Sequence, residues 1–191
     1  LSVAIPKSYT NDDLKNLSKG FKKAALEFGI EIIGGDTISN EKLDISITII
    51  SKNSKPIYRN TMNKGYILCY TGTLGFSKKD LEKLLKNKEI SKTSKFIKPT
   101  LKQKFFYEIA PFITTSMDIS DGLFFELERL SKANNLGFEF FHDIDEDIGT
   151  SGEEYEILFS FDSKYLEKIK KIALKHKVKL DPFAKAVKGK Y

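Results

Sequence analysis

The sequence predicts an α+β fold, in which strands and helices mix without strict alternation along the chain. Two patterns support this class. Apolar residues that alternate with polar ones, as in a strand with one buried face, are Leu43, Ile45, Ile47 and Ile49. Apolar residues at helical spacing, as in an amphipathic helix, are Leu14, Leu17, Phe21, Ala25 and Phe28.

The other elements are expected from the same periodicities, with glycine, proline and capping residues at their ends. A first strand at residues 1–5 ends in a turn, and Thr10 or Asn11 caps the helix that Gly29 ends. Further strands are expected at residues 30–33, 65–71, 115–119, 138–140 and 157–161. Further helices are expected at residues 79–86, 102–109, 123–130 and 163–176.

Composition restricts the kinds of site that the chain can contain. With 191 residues, 40% of them hydrophobic, it can form one domain or two small ones around a real core. The one cysteine, Cys69, cannot form a disulfide within the chain, and two histidines are too few for a zinc site. Any metal is therefore expected to be Mg²⁺ or Mn²⁺ held by carboxylates.

Charge and hydropathy restrict the partners. The net charge of +6 would suit a polyanion, but the lysines are scattered rather than grouped in one block. Even the densest stretch, residues 164–179, has the spacing of the solvated face of an amphipathic helix. No apolar run approaches the roughly 20 residues that a membrane-spanning helix needs. We therefore expect a cytoplasmic protein that binds neither nucleic acid nor membranes.

Three short segments combine glycine or serine with carboxylates at the ends of predicted strands. They are Gly34-Gly35-Asp36-Thr37, Asp118-Ile119-Ser120-Asp121-Gly122 and Ser151-Gly152-Glu153-Glu154-Tyr155-Glu156. Glycine lets a backbone approach a phosphate, and a neighbouring carboxylate can hold a cation beside it. Each segment also has a purely structural interpretation, as a tight turn, a helix cap and a surface loop respectively.

The order of these segments resembles the thiamine-monophosphate kinase family of the AIR-synthetase-like (PurM-like) superfamily. Residues 34–37 match its GGDT signature, residues 117–123 its D-x-SDGL segment, and residues 151–159 its GGEDYELLF segment. Arg59 and residues 65–75 are similar to a further family segment. The family's N-terminal third has no counterpart here, so we expect either a piece of a longer protein or a shortened family member.

The resemblance implies a two-domain AIR-synthetase-like fold whose N-terminal domain is incomplete. Residues 1–64 would form part of an ATP-binding and dimerisation domain, and residues 65–191 would form the C-terminal α+β domain. A homodimer is implied as well.

The resemblance also implies the roles of individual residues. The implied magnesium ligands, which are also the catalytic residues, are Asp36, Asp118 and Asp121. The residues implied to contact ATP are Gly35, Asp36, Arg59 and Ser120. Glu153 is implied to bind thiamine monophosphate.

The implied reaction is phosphorylation of thiamine monophosphate to thiamine diphosphate with ATP and Mg²⁺, a step in thiamine biosynthesis. Clustered aspartates without a catalytic histidine or cysteine suit phosphoryl transfer, which depends on charge neutralisation and alignment. One alternative is another ATP-using enzyme of the superfamily: AIR synthetase, selenophosphate synthetase or a hydrogenase-maturation carbamoyl dehydratase. The other alternative is a degenerate, non-catalytic nucleotide-binding module.

Overall fold

The computed structural model describes residues 1–189 and 191, which form two compact units, Leu1–Ser54 and Lys55–Tyr191. Its mixture of helices and strands confirms the α+β class. The strands are β1 (Ser2–Pro6), β2 (Asp36–Asn40), β3 (Asp44–Ser46), β4 (Ile67–Thr71), β5 (Thr115–Ile119), β6 (Leu136–Phe140), β7 (Glu156–Phe161) and β8 (Leu180–Lys188). The helices are α1 (Asn11–Phe28), α2 (Phe76–Leu85), α3 (Gln103–Ile109), α4 (Leu123–Asn134), α5 (Glu146–Gly149) and α6 (Leu166–Lys175). Within the described residues, no helix combines the length and apolarity needed to span a bilayer.

Helix α1 begins and ends where its local sequence predicts. Thr10 is the N-cap: its hydroxyl accepts from the Asp13 N–H at 3.2 Å, and the Asp13 carboxylate accepts from the Thr10 N–H at 2.8 Å. This reciprocal capping box satisfies two main-chain donors of the first turn. Gly29 ends the helix in the left-handed conformation, with φ of 63°.

The sheet of the first unit has the order β2-β1-β3, with β1 parallel to β2 and antiparallel to β3. The strand expected at residues 30–33 is wrong, because the parallel partner of β1 begins only at Asp36, opposite Ser2. The strand expected from the 43–49 alternation is shortened to β3. β3 pairs with β1 only from the Ala4–Asp44 pair to the Ser2–Ser46 pair.

The second unit is built on a five-stranded antiparallel sheet with the order β5-β7-β4-β8-β6. All five residues of the central strand β4 are buried. One apolar core lies on the face that carries Leu68 and Tyr70, and it includes Leu123 and Leu127 of α4. The other core lies on the face that carries Cys69, and it combines residues of α3 and α6. The continuous apolar run of β4 is therefore explained by burial on both faces.

Strand β8 was not expected from the sequence, since Pro182 argues against a central strand. The structure accommodates it at an irregularity in the pairing: Leu68 pairs with Ala184, whereas Cys69 pairs with Pro182, so Phe183 is the extra residue. Such a bulge tolerates the missing N–H of proline.

Residues 55–64, which the sequence interpretation placed with the N-terminal domain, belong to the second unit. The Met62 N–H donates to the Asn134 side chain at 2.9 Å, and Asn134 donates to the Arg59 carbonyl at 2.8 Å. The division of the chain into functional domains at residue 64 stays a prediction.

Truncation of Ile169 tests the packing of α6 against the sheet. This side chain is fully buried, whereas Leu174 on the same helix is 79% exposed. We expect Ile169→Ala to lower the free energy of unfolding by about 2–5 kcal/mol, because it leaves a cavity. Leu174→Ala should change it by about 0.5 kcal/mol or less. Urea unfolding of the full-length protein measures both, and equal effects would contradict this packing.

The contact between α3 and α6 predicts a pH dependence. The Glu108 carboxylate accepts from Lys175 at 2.8 and 2.9 Å and lies 2.7 Å from the His176 ring. The hydrogen bond from Lys175 has the larger effect and that with His176 the smaller; both lower the pKa of Glu108 below its ordinary 4.5. The contacts of the ionised Glu108 carboxylate therefore stabilise the folded state above about pH 4.5. This contribution is lost as the pH falls through the lowered pKa of Glu108.

We expect Glu108→Gln to lower the urea midpoint at pH 7 and to have a smaller effect at pH 3, below the ordinary pKa of 4.5. The control is Glu167→Gln, which removes an exposed pair with Lys170 and should have little effect at either pH. An effect of Glu108→Gln that is the same at both pH values would contradict the assignment.

Candidate active site

The end of β5 presents one candidate carboxylate to solvent. β5 pairs with β7 so that Asp118 faces Ile157 and Ile119 faces Glu156. Met117 and Ile119 are buried and Asp118 between them is exposed, as expected for alternating side chains. Ser120, Asp121 and Gly122 then lead into α4. The structure therefore places Asp118, Ser120 and Asp121 at one end of the sheet.

The loop before β7 is held against this turn by backbone hydrogen bonds. The Tyr155 N–H donates to the Ile119 carbonyl at 2.8 Å, and the Glu153 N–H donates to the Ser120 carbonyl at 2.7 Å. Glu153 and Tyr155 both lie in the left-handed region, with φ of 55° and 51°. This conformation is unfavourable for residues other than glycine and is often found at functional sites.

Glu153 and Tyr155 project to the exposed side of the loop. The Tyr155 hydroxyl donates to Glu153 Oε2 at 2.6 Å. This hydrogen bond, burial, and the negative charges of Glu153, Asp118 and Asp121 raise the pKa of Tyr155. The phenol thus lies in the field of all three carboxylates. The structure therefore brings Asp118, Asp121 and Glu153 into one region.

Glu154 points the opposite way, into the protein. Its Oε1 accepts from the main-chain N–H groups of Gly75 and Ser77 at 2.7 and 3.1 Å and from the Ser151 hydroxyl at 2.7 Å. Its Oε2 forms an ion pair with Lys95 Nζ at 2.6 Å. Glu154 therefore caps the N-terminus of α2 and ties it to the loop that carries Glu153.

Glu156 is the second buried carboxylate. It accepts from the Thr71 hydroxyl at 2.6 Å and pairs with Lys102 at 2.6 Å and Lys95 at 3.0 Å. Gly72 lies against it: a Cβ at this position would come within 2.1 Å of Glu156 Oε1, and its φ of 72° also favours glycine. The glycine after β4 is therefore required by the buried carboxylate.

A guanidinium group that the sequence interpretation missed lies beside Asp121. Arg129 Nη2 donates to Asp121 Oδ2 at 2.6 Å, and Nη1 lies 2.9 Å from each carboxylate oxygen of Glu126. Glu126 is fully buried on the first turn of α4. The i,i+3 spacing of Glu126 and Arg129 directly after the Asp121-Gly122 turn was the available signal.

The remaining candidate residues are Arg59, Gly35 and Asp36. The Arg59 side chain is exposed, and its carbonyl is the group that contacts Asn134. Gly35 and Asp36 belong to the first unit, at the start of β2. A Cβ on Gly35 would lie 1.9 Å from the Leu1 carbonyl oxygen, so the close approach of β2 to β1 requires glycine here.

A groove of about 440 Å³ between α1 and the sheet of the first unit includes Gly35 and Asp36 in its lining. Its other lining residues are mainly apolar, among them Leu14 and Phe21. Across residues 1–189 and 191, no three His, Cys, Asp or Glu side chains are grouped so that they could hold a metal ion.

The chain is similar to known proteins both in the sequence of its first unit and in its fold. Residues 1–52 match the family described as AIR synthase related protein, N-terminal domain. Thiamine monophosphate kinase from Aquifex aeolicus superposes with a TM-score of 0.83 at 21% identity, over 99% of this chain and 70% of that one. Hydrogenase maturation protein HypE from E. coli superposes with a TM-score of 0.72 at 14% identity, over 99% and 66%. The chain therefore has the AIR-synthetase-like fold.

Within that class, the chain is similar to thiamine-monophosphate kinases over nearly its whole length, which confirms the resemblance seen in the sequence. The enzyme of Pyrococcus horikoshii is 27% identical over 88% of this chain. That of Nitrosopumilus maritimus is 27% identical over 91%. The chain spans only 60% and 62% of the length of these two relatives. A structure of AaThiL complexed with AMPPCP and TMP superposes with a TM-score of 0.82 at 21% identity, over 99% of this chain and 66% of that one.

Truncation of two adjacent glutamates tests the opposite directions of their side chains. Glu154→Ala removes the acceptor of two N–H groups and leaves Lys95 with one fewer partner, so we expect a loss of about 3–5 kcal/mol in unfolding free energy. Glu153→Ala removes an exposed side chain and should cost about 1 kcal/mol or less. Urea unfolding of both variants measures the contrast, and a loss that is equal or reversed would contradict it.

Proposed function

We propose that the protein transfers the γ-phosphoryl group of ATP to thiamine monophosphate and forms thiamine diphosphate. One observation carries the proposal: backbone hydrogen bonds from Glu153 and Tyr155 to the end of β5 gather Asp118, Ser120, Asp121 and Glu153 in one region. These are the residues for which the family resemblance implies metal, nucleotide and substrate contacts. The kinase names of the curated relatives support the same reaction.

The donor set fits a magnesium ion. Asp118 and Asp121 are exposed carboxylates, and both contribute to the negative field at Tyr155. Oxygen ligands and concentrated negative charge suit a hard divalent cation. We propose that these two residues contribute ligands to Mg²⁺; the same role for Asp36 stays an implication of the family resemblance. When bound, Mg²⁺ would neutralise the phosphate oxygens that the reaction brings together.

The residues of the chain would bind and align the two reactants. Ser120 and Arg59 are proposed to contact ATP, and the fork of N–H donors on Arg59 suits phosphate oxygens. A contact from the Gly35 backbone stays an implication of the family resemblance. Glu153 is proposed to bind thiamine monophosphate, whose thiazolium ring is cationic. The Tyr155 hydroxyl leaves Glu153 Oε1 as the oxygen for that contact. Phosphoryl transfer depends mainly on such positioning and charge stabilisation.

Turnover by the full-length protein tests the proposal. The assay supplies ATP, Mg²⁺ and thiamine monophosphate, and reads thiamine diphosphate as its fluorescent thiochrome derivative. We expect product that disappears when EDTA removes the metal. ATP binding without product would contradict the kinase assignment and would favour a sister enzyme or a non-catalytic module.

The second candidate function, that of a hydrogenase-maturation carbamoyl dehydratase of the same superfamily, has one specific observation in its favour. HypE shares the fold over 99% of this chain. Its TM-score of 0.72 is lower than the 0.82 of the AaThiL complex, however. Hydrolysis of ATP by the full-length protein without thiamine monophosphate, and with no thiamine diphosphate formed when it is added, would support this alternative.

Substitution of Asp121 tests the metal-binding role. We expect Asp121→Asn to lower turnover by at least roughly 100-fold, since losing a ligand should cost no less than losing its supporting contacts. The fold should persist, because the Arg129 contact that is also lost is an exposed ion pair. Asp143→Asn, in an exposed loop, is the matched control and should keep full turnover. Unchanged circular dichroism together with undiminished activity in Asp121→Asn would contradict the assignment.

A further inference from the structure

Arg129 connects two carboxylates of very different exposure. Glu126 is fully buried, and both of its oxygens lie 2.9 Å from Arg129 Nη1. Asp121 is exposed, and its Oδ2 accepts from Arg129 Nη2 at 2.6 Å. The guanidinium is thus shared, one nitrogen going to the buried residue and the other to the candidate metal ligand.

The buried residue also holds the backbone of the turn. Glu126 Oε1 accepts from the Asp121 N–H at 3.3 Å. Both the main chain and the side chain of Asp121 are therefore attached to the Glu126–Arg129 pair. Because guanidinium is planar and rigid, these contacts restrict the orientation of the Asp121 carboxylate more than a lysine could.

The two oxygens of Asp121 are consequently not equivalent. Oδ2 is engaged by a charge-assisted hydrogen bond, whereas Oδ1 accepts no hydrogen bond from the described residues. A carboxylate held in this way can offer one oxygen to a cation without losing its contact to Arg129. Binding through both oxygens would require that contact to break.

Because only one oxygen of Asp121 is available to a cation, the site can discriminate between divalent cations of equal charge. Ca²⁺ takes six to eight oxygen ligands and often uses both oxygens of a carboxylate, whereas Mg²⁺ uses few carboxylates in a strict octahedral geometry and keeps several waters. We infer that Arg129 is a positioning residue that limits Asp121 to one-oxygen coordination and so selects Mg²⁺ and Mn²⁺ over Ca²⁺. This inference rests on the proposed metal-binding role of Asp121.

Competition between Mn²⁺ and Ca²⁺ in the full-length protein tests the inference without turnover. Electron paramagnetic resonance of free Mn²⁺ gives its Kd, and titration with Ca²⁺ gives the ratio of the two Kd values. Mn²⁺ and Ca²⁺ carry the same charge, so a change in charge alone cancels in this ratio. We expect Arg129→Gln to shift the ratio in favour of Ca²⁺ by about tenfold, the scale typical of contacts that support a metal ligand.

Two further variants separate geometry from charge. Arg129→Lys keeps the charge without the fork and should shift the ratio in the same direction. Lys132→Gln removes a positive charge on the same helix that pairs with Glu128 rather than Asp121, and should leave the ratio unchanged. Arg129→Lys also keeps a cation beside Glu126, so it provides the measurement if Arg129→Gln does not fold.

The outcomes separate this inference from the proposed function. Mn²⁺ binding that Asp121→Asn abolishes, with the Ca²⁺ ratio unchanged in both Arg129 variants, would overturn the selectivity role and leave the metal site standing. Mn²⁺ binding that is absent, or indifferent to Asp121→Asn, would overturn the proposed metal role of Asp121 and the selectivity role with it.

Discussion

The antiparallel pairing of β5 with β7 carries the Asp118 turn and the Glu153 loop to the same end of the sheet. Ile119 faces Glu156 in the register of the two strands. Beyond that pair the contact continues, because the Tyr155 and Glu153 N–H groups donate to the carbonyls of Ile119 and Ser120. Segments 35 positions apart in sequence, those that carry Asp118 and Glu153, therefore become neighbours. A slip of one residue would turn every side chain of one strand to the opposite face.

The same pairing divides the acidic loop into two sets with different tasks. Glu153 and Tyr155 face solvent, while Glu154 and Glu156 are buried. The buried pair is neutralised by Lys95 and Lys102 and supported by main-chain and hydroxyl donors, as buried carboxylates require. Lys95 belongs to the irregular segment between α2 and α3. Electrostatic contacts therefore attach this segment to the sheet and hold α2 beside the loop of the candidate site.

Local patterns were sufficient for elements that depend on local interactions. Helix α1 begins at its capping box and ends at Gly29, and α3, β5 and β7 lie close to the expected positions. The strands that were missed or misplaced depend on distant partners. β2 begins at Asp36 because β1 pairs with it there, and β8 contains a proline that only a bulge opposite β4 accommodates. No local periodicity reports either pairing.

The sequence by itself determined the α+β class, the segments that carry the chemistry and the family they resemble, because turn glycines, carboxylates and apolar periodicities are local features. Only the tertiary structure decided which carboxylate of the acidic loop faces solvent and which is buried. It also decided that Asp121 shares a guanidinium with buried Glu126. The physical reason is that burial and ion pairing depend on which backbone and which charge lie opposite, and β-sheet pairing brings these from distant parts of the chain.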